Sequence, residues 1–195
     1  KEAYDLVIIG AGCSGMVCAI EAANNGLKPV ILEKMGRPMG NTVFAGGHFA
    51  ACETYVQAKH NKPLSKDVFY DDVMKVSKGR GDKELTRFFV DHSAEAIQWL
   101  SDHVGIEWAP IVEEAWPGRT SNHVVKGQLK PGGAQLSKQL LDTVKSKNIP
   151  VLFNTKVSEL ILDGKGAVIG ARAIGEAGTV DFMAKGGVVL ATGGY

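Results

Sequence analysis

Asp5-Leu-Val-Ile-Ile-Gly-Ala-Gly-Cys-Ser-Gly15 decides the fold. Leu6 to Ile9 form an apolar strand that runs straight into glycines at 10, 12 and 15. Gly10 lets the chain turn sharply out of the strand. Gly12 has no side chain, so a pyrophosphate can approach the backbone. Gly15 lets the following helix pack close to the sheet. The N-terminus of that helix presents free N–H groups and a partial positive charge to phosphates. Glu33 ends the next apolar run, about one βαβ unit downstream, where it would accept hydrogen bonds from ribose hydroxyls. A glycine pattern alone is weak evidence. With the flanking strand, the helix and the distal acid it points to a bound dinucleotide.

Residues 5 to 34 therefore read as strand, helix, strand. The helix Ser14 to Asn25 turns Val17, Ile20 and Ala23 toward the sheet, and Asn25-Gly26 stops it. Leu27 to Glu33 is the second strand. Met35 to Ala51 is a glycine-rich loop, more often functional than idle in a compact domain. Ser65 caps a helix to Val76, and Asp82 caps a second that runs to about His103. The periodicity gives that second helix an apolar face of Leu85, Phe88, Phe89, Ala96, Ile97, Trp99 and Leu100. Residues 105 to 133 read as irregular. Ala134 to Lys147 is amphipathic, with Leu136, Leu140, Leu141 and Val144 inward. The remainder is β: a short strand Val151 to Phe153, then Val157 to Leu162, Ala167 to Ile174 and Thr179 to Ala184 as a meander. A separate buried strand Gly187 to Ala191 ends in Thr192-Gly193-Gly194.

The 195 residues carry a formal net charge of +1. That length allows one sizeable core with a small appendage. The charge supplies no basic field for nucleic acid. No apolar run is long enough to span a bilayer as a helix. The odd count of three cysteines, with no CxxC, argues against a disulfide framework and a zinc site. Cys13 and Cys18 read as small residues filling tight helix–sheet space. Lys1 is not a start methionine, so the chain reads as a processed or excised piece. The compartment stays open, with the cytoplasm favoured and an extracytoplasmic place the alternative if a leader was removed.

Four segments in order carry a resemblance. They are Gly10 to Gly15 with Glu33-Lys34, then Gly40-Asn-Thr-Val-Phe-Ala-Gly-Gly47, then Asn154-Thr-Lys-Val157, then Ala191-Thr-Gly-Gly194. Together they resemble the fumarate reductase/succinate dehydrogenase flavoprotein family, and Ala96-Ile-Gln-Trp-Leu100 is similar to it as well. The likeness is greatest to the branch of soluble fumarate reductases, urocanate reductases and 3-ketosteroid dehydrogenases. It implies an α/β fold: a Rossmann-like FAD-binding domain over residues 1–195, with a parallel sheet and a three-stranded antiparallel β-meander. The capping domain and C-terminal half are expected to be absent.

The resemblance implies that Gly10, Ala11, Gly12 and Ser14 hold the FAD pyrophosphate, with Gly15 a further residue of the cofactor-binding turn. Glu33 would meet the adenosine ribose, Lys34 beside it is a further cofactor-binding residue, and Asn41 and Thr42 would lie along the ribityl and phosphate stretch. Gly46 and Gly47 would let the backbone touch the flavin ring, with an N–H near N5. Val157 would meet the adenine through its backbone. Ala191, Thr192 and Gly193 would form a second glycine turn beside the cofactor. Covalent members carry a histidine where this chain has Asn41, so the FAD is expected to be non-covalent. Met39-Gly40-Asn41 departs slightly from the Gly-Gly-Asn that opens this loop in soluble members.

By resemblance, the longer protein would be an FAD-dependent oxidoreductase acting on CH–CH bonds of a small substrate, an unsaturated dicarboxylate or similar. The electron donor is open. Substrate-clamping and proton-delivering groups are expected beyond Tyr195, so the catalytic residues are unknown and this piece alone should be inactive. A ketosteroid dehydrogenase and a non-catalytic FAD module are the rival readings, and NAD-only binding is disfavoured. His48 follows the glycine pair, and a flavin-side place for it stays open. Arg119 and His123 read as solvated loop residues. Trp99, Phe88 and Phe89 read as core. Asp71-Asp72 and Glu113-Glu114 read as exposed charges.

Overall fold

A computed structural model describes residues 2–113, 120–176 and 178–194, and the chain divides into two compact units. The first comprises residues 1–44 and 137–195, the second residues 45–136. Trp116 and Arg119 lie outside the described residues, as does Glu114.

In the first unit, β1 (Glu2–Ile9), α1 (Cys13–Asn24), β2 (Pro29–Leu32) and the single turn α2 (Asn41–Phe44) come in order. In the second unit, β3 (His48–Ala50), α3 (Tyr55–Lys59), α4 (Lys66–Val76), α5 (Lys83–Val104) and β4 (Asn122–Val124) follow. After α6 (Gly132–Ser146) come β5 (Val151–Leu152), β6 (Lys156–Leu162), β7 (Val168–Gly175) and β8 (Gly178–Leu190). The fold is mixed α/β.

The sheet of the first unit has the order β5-β2-β1-β8-β7-β6. β1 pairs in parallel with β2 and with β8, and β2 in parallel with β5. β7 pairs antiparallel with both β8 and β6. Parallel strands need cover on both faces, and the central ones read as unbroken apolar runs for that reason. Val7, Ile8, Val30 and Ile31 are fully buried, as are Met16, Ala19 and Ile20 of α1. Gly15 sets how close α1 comes: a Cβ there would lie 2.0 Å from the Gly10 carbonyl oxygen. α6 buries Leu136, Leu140 and Val144, while Leu141 is only half-buried.

The two strands expected at 179–184 and 187–191 are one. β8 is 13 residues long and pairs with β1 from Phe182 to Leu190. Tyr4 opposes Ala184 and Leu6 opposes Gly187, so Lys185 and Gly186 stand against Asp5 alone. This is a β-bulge, which bends a strand without ending it. Gly187 takes φ 146° there, open to glycine and strained for other residues.

In the second unit β3 pairs antiparallel with β4, and Trp108 bridges to Val125. Both strands fall in stretches expected to be irregular, as does α2. The caps are as the sequence indicates: Ser65 accepts from the Val68 N–H and Asp82 from the Leu85 N–H. The buried face of α5 differs from expectation. Val90, Ser93, Ile97, Leu100 and Val104 are buried, whereas Leu85 is 68%, Phe88 63% and Phe89 44% exposed. Ala96 is exposed and Trp99 half-buried. Ser93 hid this stripe from the sequence pattern, because a polar residue occupies a core position. Its hydroxyl donates to the Val90 carbonyl at 2.9 Å and accepts from the Cys52 N–H at 3.2 Å. Both polar ends are thereby satisfied inside the Cys52, Leu64, Phe69 and Val90 cluster.

Candidate functional site

The site lies at the C-terminal edge of the parallel strands. The Gly10 N–H donates to the Leu32 carbonyl at 2.8 Å, and the Ala191 N–H to the Ile9 carbonyl at 2.9 Å. The first glycine turn is thus held between the ends of β2 and β8. Gly10 has φ 111°, and a Cβ there would lie 2.4 Å from the Ala191 carbonyl oxygen. Two glycine turns at opposite ends of the chain therefore meet backbone to backbone.

A cavity of about 800 Å³ opens beside them. Its lining brings together Gly10, Gly12, Ser14, Glu33, Lys34, Asn41, Thr42, Val157, Ala191, Thr192 and Gly193. Ala11 and Gly15 are buried behind this surface. Gly46 and Gly47 belong to the second unit and are not among the lining residues. Met35 and Leu190 also line it, as do Thr155 and Lys156, which lie in the Asn154–Val157 motif segment but carry no assigned role there. Strand ends carry no signal of their own. Only the pairing of β5 with β2 brings residues 155 and 156 beside Glu33.

Gly12 is the N-cap of α1 and supplies no side-chain acceptor to the helix's first N–H groups. A Cβ built on Gly12 meets nothing within 4 Å, so the space in front of it is open. The Cys13 N–H donates to Thr42 Oγ1 at 3.3 Å, which anchors α2 beside the helix start. A helix N-terminus without a capping side chain is an anion site by geometry and by dipole.

Glu33 is only 8% exposed. Its Oε2 accepts from the Ala11 N–H at 2.8 Å and its Oε1 from the Met35 N–H at 2.9 Å. The carboxylate joins the glycine turn to the chain leaving β2. Each oxygen keeps a further lone-pair direction for a ligand hydroxyl. Burial pushes the Cys13 thiol up from its ordinary value, so it stays neutral at pH 7. Burial pushes Cys18 up as well.

The remaining candidates fall in the second unit or outside the described residues. His48 Nδ1 shares a hydrogen bond with Asn122 Oδ1 at 3.0 Å on an exposed ring. His123 is not a solvated loop residue: it lies in β4 and is fully buried. Its Nδ1 donates to the Ser121 carbonyl at 2.8 Å, and its Nε2 accepts from the Thr54 hydroxyl at 2.7 Å. Desolvation holds its pKa below the usual imidazole range. Asp71 is exposed, and Glu113 is an exposed partner of Lys62 at 3.9 Å.

Parallel strands, a glycine turn at an uncapped helix start and an acid at the end of the second strand define a dinucleotide-binding domain. Residues 5–195 match the family described as FAD binding domain, and the chain belongs to that family. FAD is its cofactor, and the uncapped helix, the open space before Gly12 and the cavity's size fit a dinucleotide. The chain is 34% identical to a urocanate reductase of Eggerthella lenta, over 98% of its own length and 32% of that protein's. It is 31% identical to an NADH:fumarate oxidoreductase of Klebsiella pneumoniae, over 100% of its length and 21% of that protein's. Among solved structures it superposes on a flavocytochrome c3 fumarate reductase in its open conformation with a TM-score of 0.88. The identity there is 26%, over 100% of this chain and 34% of that one. The chain thus spans a fifth to a third of these relatives' lengths.

Proposed function

We propose that the chain is the FAD-binding portion of a flavoprotein oxidoreductase that acts on the C=C bond of a small α,β-unsaturated acid. The observation that carries this reading is the cavity at which both glycine turns, the α1 start and Glu33 converge. The substrates named for the similar reductases, fumarate and urocanate, are both unsaturated acids.

Bound FAD would supply hydride transfer at its flavin ring. The residues of this chain hold and orient it. The N–H groups at the start of α1, with the bare Cα of Gly12, would take the pyrophosphate. Glu33 would accept from the ribose hydroxyls with its remaining lone pairs, and Lys34 would lie beside it. Val157 would meet the adenine, and Asn41 and Thr42 the stretch toward the flavin. Ala191, Thr192 and Gly193 would close the far wall. Asn41 offers no nucleophile to carbon, so the cofactor is held without a covalent link. The extension of the sheet by β7 and β6 serves as a meander at the edge of this binding domain. Groups that clamp the substrate and deliver the proton would fall in the further length that the relatives have.

Two measurements test the reading. Acid precipitation should release yellow FAD into the supernatant, and colour kept in the pellet would refute the non-covalent link. Reduced-viologen assays of the full-length enzyme that carries this portion, run with fumarate, urocanate and a ketosteroid, should show turnover of an acid, and this portion alone should show none. Turnover of the steroid alone would overturn the substrate class.

A further inference from the structure

The titratable residues lining the cavity are Cys13, Glu33, Lys34 and Lys156. Cys13 is a neutral thiol. Glu33 and Lys34 carry opposite formal charges, which cancel. A pyrophosphate carries two negative charges, so a cavity of zero net side-chain charge would leave its capture to helix dipoles. Lys156 tips the lining to net positive.

Its place is fixed by backbone. The Thr155 N–H donates to the Glu33 carbonyl at 2.9 Å and the Asn154 N–H to the Met35 carbonyl at 3.1 Å. Those bonds hold the start of β6 against the end of β2, with Lys34 and Lys156 each next to a bonded residue. Thr155 is buried and Lys156 exposed. Neither lysine has an ion-pair partner among the described residues. The acids at 159 and 176 are engaged elsewhere, with Arg172 at 3.1 Å and the Asn154 amide at 3.4 Å.

We propose that Lys156 is a cofactor-binding residue that acts with Lys34 as a cation pair on the anionic, adenosine-diphosphate half of the dinucleotide. The proposal rests on the reading of the cavity as the FAD site. Its contribution is Coulombic, so it scales with ligand charge and falls with salt.

The test titrates the flavin-free protein with FAD, ADP and adenosine at low and high salt. Lys156→Gln should weaken FAD and ADP roughly three- to tenfold at low salt, as expected for one partly solvated unit charge. Adenosine, which is neutral, should bind within about twofold of wild type, and the salt dependence should flatten. Lys156→Arg should restore both affinity and salt slope. Equal affinities for FAD in the wild type and Lys156→Gln would overturn the proposal while leaving the cavity as the FAD site. Adenosine weakened as much as ADP would overturn it too, since the lysine would then act on base or sugar. A wild-type protein that binds no FAD would overturn the reading of the cavity, and the proposal with it.

Discussion

Glu33→Ala removes a carboxylate that holds two backbone N–H groups, and the cost follows from where those groups lie. Ala11 is fully buried, so its N–H would be left without a partner or water. An orphaned buried donor costs about 1–3 kcal/mol. Met35 is 45% exposed, so water can replace the lost acceptor and the loss there is about 1 kcal/mol. The sum is about 3 kcal/mol of stability lost before any cofactor is bound. For a chain of this length that lowers Tm by about 6–12 °C. Loss of the ribose contacts adds about 1.5–3 kcal/mol to the free energy of FAD binding. The assay is thermal unfolding of the flavin-free protein, with a parallel fluorescence titration of FAD. Glu33→Gln keeps one acceptor and should fall between. A flavin-free alanine variant that melts within a degree of wild type would refute the brace. A lowered Tm with unchanged FAD affinity would refute the ribose contact.

Gly12→Val should leave the melting temperature of the flavin-free protein within a few degrees, because its Cβ meets open space, yet abolish FAD retention. Purification of that variant with stoichiometric flavin would place the phosphates elsewhere. Gly15→Ala should fail to fold or lose several kcal/mol, read by solubility and circular dichroism, since its Cβ would overlap the Gly10 carbonyl oxygen. Val90→Ala should cost about 2–3 kcal/mol in denaturant unfolding and Phe88→Ala less than 1 kcal/mol, following the buried stripe of α5. His123 titrates lower when folded than unfolded. The unfolded chain therefore binds more protons below about pH 6.5, and stability should be full above that pH and fall as pH drops toward the folded pKa. His123→Gln should flatten that slope in unfolding measured from pH 5 to 8, and an unchanged slope would acquit the imidazole.

The first βαβ unit was legible because its signals are local. A strand, a glycine turn and a distal acid each depend on a few neighbouring residues, and so do the Ser65 and Asp82 caps. What escaped depends on distant partners. Leu85, Phe88 and Phe89 are as apolar as any core residue, but the helix turns Val90, Ser93 and Ile97 inward. Ser93 could not be placed there without its bonds to Val90 and Cys52. Lys185-Gly186-Gly187 looks like a strand break until Asp5 is seen opposite it. His123 belongs to the core because Thr54, 69 positions away, gives its ring a partner. The cavity lining divides in the same way: Gly10 to Ser14 and Glu33 follow from motif, whereas Lys156 sits in a motif segment but only strand pairing sets it beside the end of β2.

The three glycines of the first turn answer to different constraints, and this changes how a drifting descendant should be read. Gly10 and Gly15 are hemmed by backbone atoms at 2.4 and 2.0 Å, so any side chain is penalised by the fold itself. Gly12 faces empty space. A lineage that abandoned flavin would have to keep the outer two glycines to stay folded, but would be free to lose the middle one. On the proposed reading of the cavity, the residue at position 12 therefore reports on the cofactor site, and glycines at 10 and 15 report only on an intact turn.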